Sequence, residues 1–491
     1  MRRFGPALAV ATGAFLALAS TAFGNVALTQ ISSDPFTNAT AVDGVAIYHA
    51  TQVEPDTFSF GSTIVAAFQV GRFHNGGADD IGFATSTNGG QTWRHGLLPG
   101  LTFQVDPKSP YERVSDASVA YDAKHGVWMV SSIPLLPNLF VPTVSISRST
   151  DGGRTWKDPV SIPPPSPGPV NLDKNWTVCD NTSTSPHYGN CYTEFDNFAT
   201  DDLELLSTSS DGGLTWGAPI STPLHAHGLG GQPLVQPNGD VVVPFESIAG
   251  HAKIASFGST DGGATLTDAV TVATINFHPV AGNLRTSPLP SAEIDGAGNV
   301  FVAWEDCTFE PGCPANDIVF SSSSDGANWS SIARVPIDNV GGGVDHFIPG
   351  LAVDKATSGG SAHLGLSYYF YPNANCTVST CQLDSGFISS SNAGATWAGE
   401  QQLAGPMSLA WTAFTTQGFM VGDYISTSFI GGAAFPVIAV AGPGTPAQNL
   451  NEAMFVTSTG LAVASGGAAS TTQGAGSGAS TTSYVVGPLN R

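Results

Sequence analysis

Two glutamates interrupt otherwise apolar stretches: Glu246 in VVVPFES and Glu305 in FVAWEDC. A carboxyl set at the end of a buried strand can give or take a proton, so both are candidates for general acid–base work, with a solvated strand end as the plain alternative. Histidine offers a second chemistry. His225 and His227 form H-x-H, which puts two rings on one side of an extended strand, and His251, His278 and His346 could join them. A transition-metal site would still need a third ligand that no spacing supplies, so no metal ligand is assigned. No cofactor is expected beyond calcium held structurally by clustered Asp and Glu. The six cysteines fall as close pairs, Cys179 with Cys191, Cys307 with Cys313 and Cys376 with Cys381. None has the C-x2-C spacing of a zinc site, so three local disulfides are expected.

The elements that carry these residues are short. Charged residues make up only 11% of 491, while 58 Gly and 34 Pro favour many strands and turns over helices. With 38 acidic against 16 basic residues the net charge is -22, which repels phosphate backbones and anionic membranes and sets nucleic acid aside as a partner. Arg2 and Arg3, an apolar run from Ala7 to about Ala19 and small residues near Ala22 and Gly24 read as a signal peptide over 1–24. A secreted protein is the expectation. The longest later apolar run, Ala433 to Ala441, is too short for a membrane span and is broken by Pro436. A monomer is expected.

One phrase recurs along the chain: STNGGQTW from Ser86, STDGGRTW from Ser149, SSDGGLTW from Ser209 and STDGGATL from Ser259. SSDGANW from Ser323 and SSNAGATW from Ser390 are variants, and successive copies start 50 to 67 residues apart, the scale of a four-stranded propeller blade with long loops. The Asp or Asn can accept backbone N–H groups, the glycines take positive φ, and the Trp folds back as an apolar plug. Each box therefore reads as a self-capping turn, with no catalytic role for Asp151, Asp211, Asp261 or Asp325.

On these boxes, and on phrases such as DKNWTVCD, SPHYGNCY, PSAEIDGAGNVFVAW and GFMVGDYISTSF, the sequence resembles the Asp-box (BNR-repeat) families, and more closely the secreted bacterial sialidase-like proteins, over roughly Asn25 to Gly460. The resemblance implies an all-β fold, a single β-propeller over 25–460. Strand pairs precede the last five boxes, and three box-free strands follow the last. If NVALTQIS, Asn25 to Ser32, adds to those three as the outermost strand, it closes a seventh blade and leaves no open edge. Seven blades are expected, six being the alternative. The Gly/Ala/Ser/Thr-rich segment 461–491 reads as a flexible tail.

In the resembling families the boxes lie on the bottom face, so the loops into first strands and out of second strands lie on top. That rim carries Arg113, Asp116, Asp173, Lys174, Trp176, Arg285, His346, Asp423 and Tyr424, together with Glu246, Glu305 and Tyr369. Carboxylates can serve as acid and base or orient hydroxyls, and aromatic rings stack on pyranose faces. The expected function is a carbohydrate-binding or carbohydrate-cleaving propeller, a glycoside hydrolase of exo-alpha-sialidase type if active. A non-catalytic adhesion or protein-binding propeller is the alternative. The candidate catalytic residues are Asp116, Glu246, Glu305, Tyr369 and Tyr424, with Tyr369 or Tyr424 paired to Glu246 or Glu305 and Asp116 as acid/base. Arg113, Arg285, Asp173, Trp176, His346 and Asp423 are the candidate substrate-binding residues, and Arg72 in VGRFHNGG is a further possible arginine. The Phe/Tyr-Arg-Ile-Pro phrase of typical sialidases is absent, which weakens sialic acid specifically.

Overall fold

The computed structural model describes residues 26–445 and 449–472. The expected signal peptide and residues 473–491 lie outside the described residues. The fold is all-β and propeller-like. Its strands group into successive antiparallel units, beginning with Ile47–Phe60, Thr63–Phe73, Ala78–Ser86 and Arg94–Leu97, and then Arg113–Asp122, Val127–Leu135, Ser145–Ser149 and Lys157–Ser161. Leu172–Cys179, Cys191–Asn197, Leu203–Ser209 and Ile220–Ser221 form the third. In the fourth, the first strand is split into Gly228–Leu229 and Leu234–Val235 and is followed by Val241–Ser247, Lys253–Ser259 and Val270–Thr274.

The fifth runs Ser291–Ile294, Val300–Asp306, Asp317–Ser323 and Ala333–Arg334, and the sixth Asp345–Val353, Leu364–Tyr371, Gln382–Ser390 and Thr396–Ser408. The last unit has Ser426–Ile430, Ala433–Ala441 and Glu452–Thr457, and its outermost strand comes from the opposite end of the chain. Leu28–Gln30 pairs antiparallel there, Leu28 with Thr457 and Gln30 with Phe455. First strands touch in succession, and Ser426–Ile430 in turn touches Ile47–Phe60, so the series returns to its start.

Burial follows from that packing. Thr63–Phe73 is buried at ten of eleven positions, because a second strand is packed between neighbouring units on both faces. The outer strand Lys157–Ser161 buries none of its five residues. Apolar clusters fill the seams, most of them mixing side chains of two successive units and the largest joining the sixth, last and first, and the box aromatics pack into them. Trp156 joins Phe83 and Val65 of the preceding unit, Trp216 joins Met129 and Ile146, and Trp397 joins Phe320. Burying a side chain of this size contributes about 1.5–3 kcal/mol, so every box anchors one seam.

Inside each box, local bonds do the rest. Asp151 Oδ1 accepts the amides of Arg154 and Thr155 at 3.0 and 2.9 Å, and Oδ2 accepts the Thr155 hydroxyl at 2.6 Å. Asp211 and Asp261 repeat this set. The Thr265 hydroxyl and amide hold the Asp261 carboxyl down at about 2.

All three cysteine pairs are disulfide-bonded as the spacing suggested, Cys179–Cys191, Cys307–Cys313 and Cys376–Cys381. The described part of the C-terminal segment is not the flexible tail that its composition suggests. Leu461–Ala462 pairs with Ala433–Ala441, Ala468–Ala469 with Thr396–Ser408, and Thr471–Thr472 with Ala333–Arg334. A strand edge needs only backbone N–H and C=O groups to be covered, so small residues with nothing to bury can still serve. No helix among the described residues is long and apolar enough to cross a membrane.

Candidate active site

Four first strands carry the same irregularity. Register slips between Val53 and Asp56, Ser115 and Ser118, Asp173 and Trp176, and Phe347 and Gly350. Within each slip one residue takes a left-handed backbone: Glu54 (φ 55°), Asp116 (φ 52°), Lys174 (φ 42°) and Ile348 (φ 51°). Non-glycine residues avoid this region, so a repeated bulge there is a device that re-aims a side chain at a local energetic cost. Three of the four are charged; Glu54 and Lys174 contact Asp423, which enters from the last unit, and Asp116 is linked to Glu54 through Ser115 and Gln69.

Asp423 is the hub. Lys174 Nζ donates to its Oδ2 at 2.5 Å, Arg285 Nε donates to Oδ1 at 2.6 Å, and a second Arg285 nitrogen donates to Oδ2, a bidentate grip. The Asp423 amide donates to Glu54 Oε1 at 3.1 Å, and Gln69 Nε2 donates to Glu54 Oε2. Gln69 Oε1 accepts from Arg72 Nη1 at 2.6 Å, its amide reaches Ser115 Oγ at 3.0 Å, and that hydroxyl donates to Asp116 Oδ1 at 2.9 Å. Gly422 permits the approach: a Cβ there would come within 2.9 Å of the Glu54 amide nitrogen.

The charges sort by environment. Burial alone would push the Asp423 carboxyl up, but Arg285 and Lys174 outweigh it and hold Asp423 far below the usual carboxylate range. Burial, with the Asp423 charge beside it, pushes Glu54 up to about 7. Desolvation and the neighbouring Arg285 pull Arg72 down to about 10. Tyr424 is held well above the phenol range by burial and by Glu54 and Asp116, and its hydroxyl donates to the Ala117 carbonyl at 3.1 Å. It stands edge-on to Trp176, with ring centroids 5.2 Å apart.

Above this cluster opens a cavity of about 480 Å³, within the roughly 300–1,000 Å³ range of small-molecule sites. Arg72, Asp116, Asp173, Lys174 and Arg285 are its charged lining; Asn75, Asn138, Asn171 and Gln417 add polar groups, and Leu139, Phe140 and Phe198 an apolar wall. The boxes are at the other end of the strands. Ser149, where the second box begins, pairs with Trp128, whereas Ser115 pairs with Ile133 at the cavity end of the same strand.

The structure thus brings together Asp116, Asp173, Trp176, Arg285, Asp423 and Tyr424. It does not bring the other candidates to them. Arg113 is fully buried beside Asp43 (3.2 Å) and Glu112 (3.4 Å), stacked over Phe73 at 4.5 Å, and its Nη1 donates to the side chain of Asn75, so it props the cavity wall from behind. Glu246 lies opposite Leu229, and burial pushes its carboxyl up to about 7. Glu305 Oε2 accepts the Ile348 amide of the next unit at 2.9 Å. Tyr369 donates to the Ala439 carbonyl at 2.7 Å inside an apolar cluster, and His346 is buried between Tyr368 and Phe370. Neither tyrosine is hydrogen-bonded to Glu246 or Glu305. Glu246, Glu305 and Tyr369 lie on second strands and face the seams between units, whereas Asp116 and Lys174 reach the cavity from bulged first strands and Arg72 reaches it from near the end of the second strand Thr63–Phe73.

Glu54 and Gln69 are not marked out as candidates by the sequence, Lys174 stands on the expected rim without a role, and Arg72, a further possible arginine there, lines the cavity. A polar interruption in TQVEPDTF, like that in RVSDAS, was the available signal for Glu54.

No family model matches the chain, and no curated protein matches it by sequence. Among solved structures it is similar to the Hadza microbial sialidase Hz136, at 20% identity and TM-score 0.46 over 65% of this chain and 64% of that one, so it spans less than two thirds of that protein. A Dyadobacter fermentans protein of unknown function aligns at 17% identity and TM-score 0.47, covering 75% of this chain and all of its own. A PL25 ulvan lyase, bound to -[GlcA(1-4)Rha3S]-, aligns at 10% identity and TM-score 0.49 over 88% and 97%. Such scores mark remote likeness.

Proposed function

We propose that the seven antiparallel units are the blades of one closed, Asp-box propeller, and that its central cavity binds and hydrolyses an acidic carbohydrate. The observation that carries this reading is the meeting of Asp116 with Arg72, Lys174 and Arg285 in one cavity of ligand size. In this reading Asp116 gives its proton to the leaving glycosidic oxygen while water attacks the anomeric carbon, so that one C–O bond forms as the other breaks and the water's second proton passes to solvent. Arg72 and Lys174 engage the substrate's anionic or hydroxyl groups, while Asp423 fixes Lys174 and Arg285 in place without itself exchanging protons. Phe140 and Phe198 offer faces for a sugar ring. Export to an oxidising compartment is supported by the three disulfides.

The test is a panel of sialylated, uronate-bearing and neutral glycosides offered to the purified protein, with hydrolysis of an acidic member expected. Asp116→Asn should keep binding and lose turnover. If no member is bound or cleaved, the reading fails. Full pairing of Asp423 favours one second reading, non-catalytic capture of the same ligands, which an Asp116→Asn variant with intact function would establish.

A further inference from the structure

A second polar cluster lies away from the cavity, where the fifth unit meets the sixth. Asp317 opens the strand Asp317–Ser323, Asp338 lies in the link that follows Ala333–Arg334, and His346 is the second residue of Asp345–Val353. One oxygen of each aspartate and one imidazole nitrogen all lie within 4.8 Å of one another. A single ion about 2.0–2.4 Å from each atom spans such a set.

Two of the three residues are deeply buried, Asp317 at 2% and His346 at 1% exposure. Among the described residues, Asp317 Oδ2 and His346 Nδ1 have no hydrogen-bond partner. Buried lone pairs are normally answered, so unanswered atoms on two of the three clustered residues leave room for an electrophile. Arg334 answers only part of the set, with Nη2 2.7 Å from Asp317 Oδ1 and 2.5 Å from Asp338 Oδ1. Glu310, also buried, adds negative charge to both aspartates while its carboxylate accepts the Gly341 amide. Formally, three carboxylates face one guanidinium. A divalent ion would balance them.

We propose that Asp317, Asp338 and His346 form a divalent-cation site that ties the fifth unit to the sixth. The imidazole among the donors selects a borderline metal such as Zn²⁺ over Ca²⁺, which prefers oxygen alone. Asp338, with 21% of its side chain exposed, marks the entry path. The H-x-H pair singled out in the sequence does not contribute: His227 Nδ1 lies 2.7 Å from the Asp201 carbonyl and His225 Nδ1 3.1 Å from the Ser221 hydroxyl.

The experiment uses the full chain, stripped with EDTA and dialysed, then titrated with Zn²⁺, Mn²⁺ and Ca²⁺ by calorimetry. Elemental analysis and thermal melts follow, and Co²⁺ is added as an absorbing probe. About one equivalent of Zn²⁺ should bind and raise the melting temperature, and Co²⁺ should develop visible bands. His346→Ala and the milder, half-buried Asp338→Asn should each weaken Zn²⁺ by about tenfold or more. The double variant His225→Ala/His227→Ala should bind as the parent does. Absence of binding for all three ions overturns the proposal. So does Zn²⁺ binding that Asp338→Asn and His346→Ala leave unchanged, because the ion would then sit elsewhere.

Discussion

The box turns and the bulge cluster are both built on aspartates, yet they use them in opposite ways. A box aspartate is solvated, takes its hydrogen bonds from residues two to four positions along, and is held more acidic than usual, as Asp261 is at about 2. Around the bulges, carboxylates are buried and reached across the whole chain. Asp423 takes its partners from 249 and 138 residues away, and Glu54 bonds to an amide 369 residues distant. Glu54, Asp56 and the seam residue Glu246 are all pushed up to about 7, mainly by burial. The first arrangement makes a turn that needs nothing else, whereas the second exists only where distant units bring carboxylates and cations together beside the cavity.

Experiments that break this contrast should differ in size. Arg285→Met leaves the Asp423 charge buried with half its compensation gone. Urea unfolding should then show a loss of about 3–5 kcal/mol, the usual result of removing one member of a buried pair. An unchanged midpoint would mean that water reaches the cluster and that the hub is weaker than its geometry. Next in size is Asp116→Asn, whose kcat on a cleaved substrate should fall about 100-fold or more while the melting temperature stays within a degree or two of the parent. Equal activity of the variant would assign the cavity to binding alone.

The raised, buried carboxyls respond to pH with the opposite sign to the box aspartates, whereas the ion-paired Asp423 follows the sign of the boxes. An acid whose folded value lies above its unfolded one binds more protons when folded. Glu54, Asp56 and Glu246 therefore stabilise fully below about 4.5 and lose that contribution as pH rises through about 7. Box aspartates work the other way, their contribution being present above about 4 and lost as pH falls through about 2. Denaturant midpoints across pH should peak near 4 to 5 and decline toward 8, by on the order of 1 kcal/mol for each buried carboxyl. A midpoint that rises steadily from pH 5 to 8 would show these carboxyls to be solvated. Smallest of all, Asp261→Ala should cost about 1 kcal/mol, the scale of a lost turn or helix cap, with only a few tenths of that sensitive to salt.

Much of the frame was legible because its causes are local. Six boxes announce six turns, since Ser, Asp, Gly and Trp act on one another within a few positions, and close spacing paired the cysteines. The N-terminal strand's place in the last unit followed from counting strands. Glu246 and Glu305 show where this reasoning stops. An acid in an apolar strand signals something unusual, but alternation alone does not say whether it faces the central cavity or the seam, and both face the seam. The reverse holds for Glu54 and Lys174, where the sequence shows at most a polar interruption or a rim position, because a bulge is a property of two paired strands rather than of one.

By itself the sequence determined what local chemistry determines: the box turns and their aromatic plugs, the disulfide pairs and the all-β class. Only the tertiary structure decided which charges meet. Asp116, Lys174, Arg285 and Asp423 come from four separate first-strand regions, and their contact exists only because the first strands pack side by side and the series returns on itself. The same packing gave the small-residue segment at 461–472 its place, since an exposed strand edge offers hydrogen bonds to any backbone that reaches it.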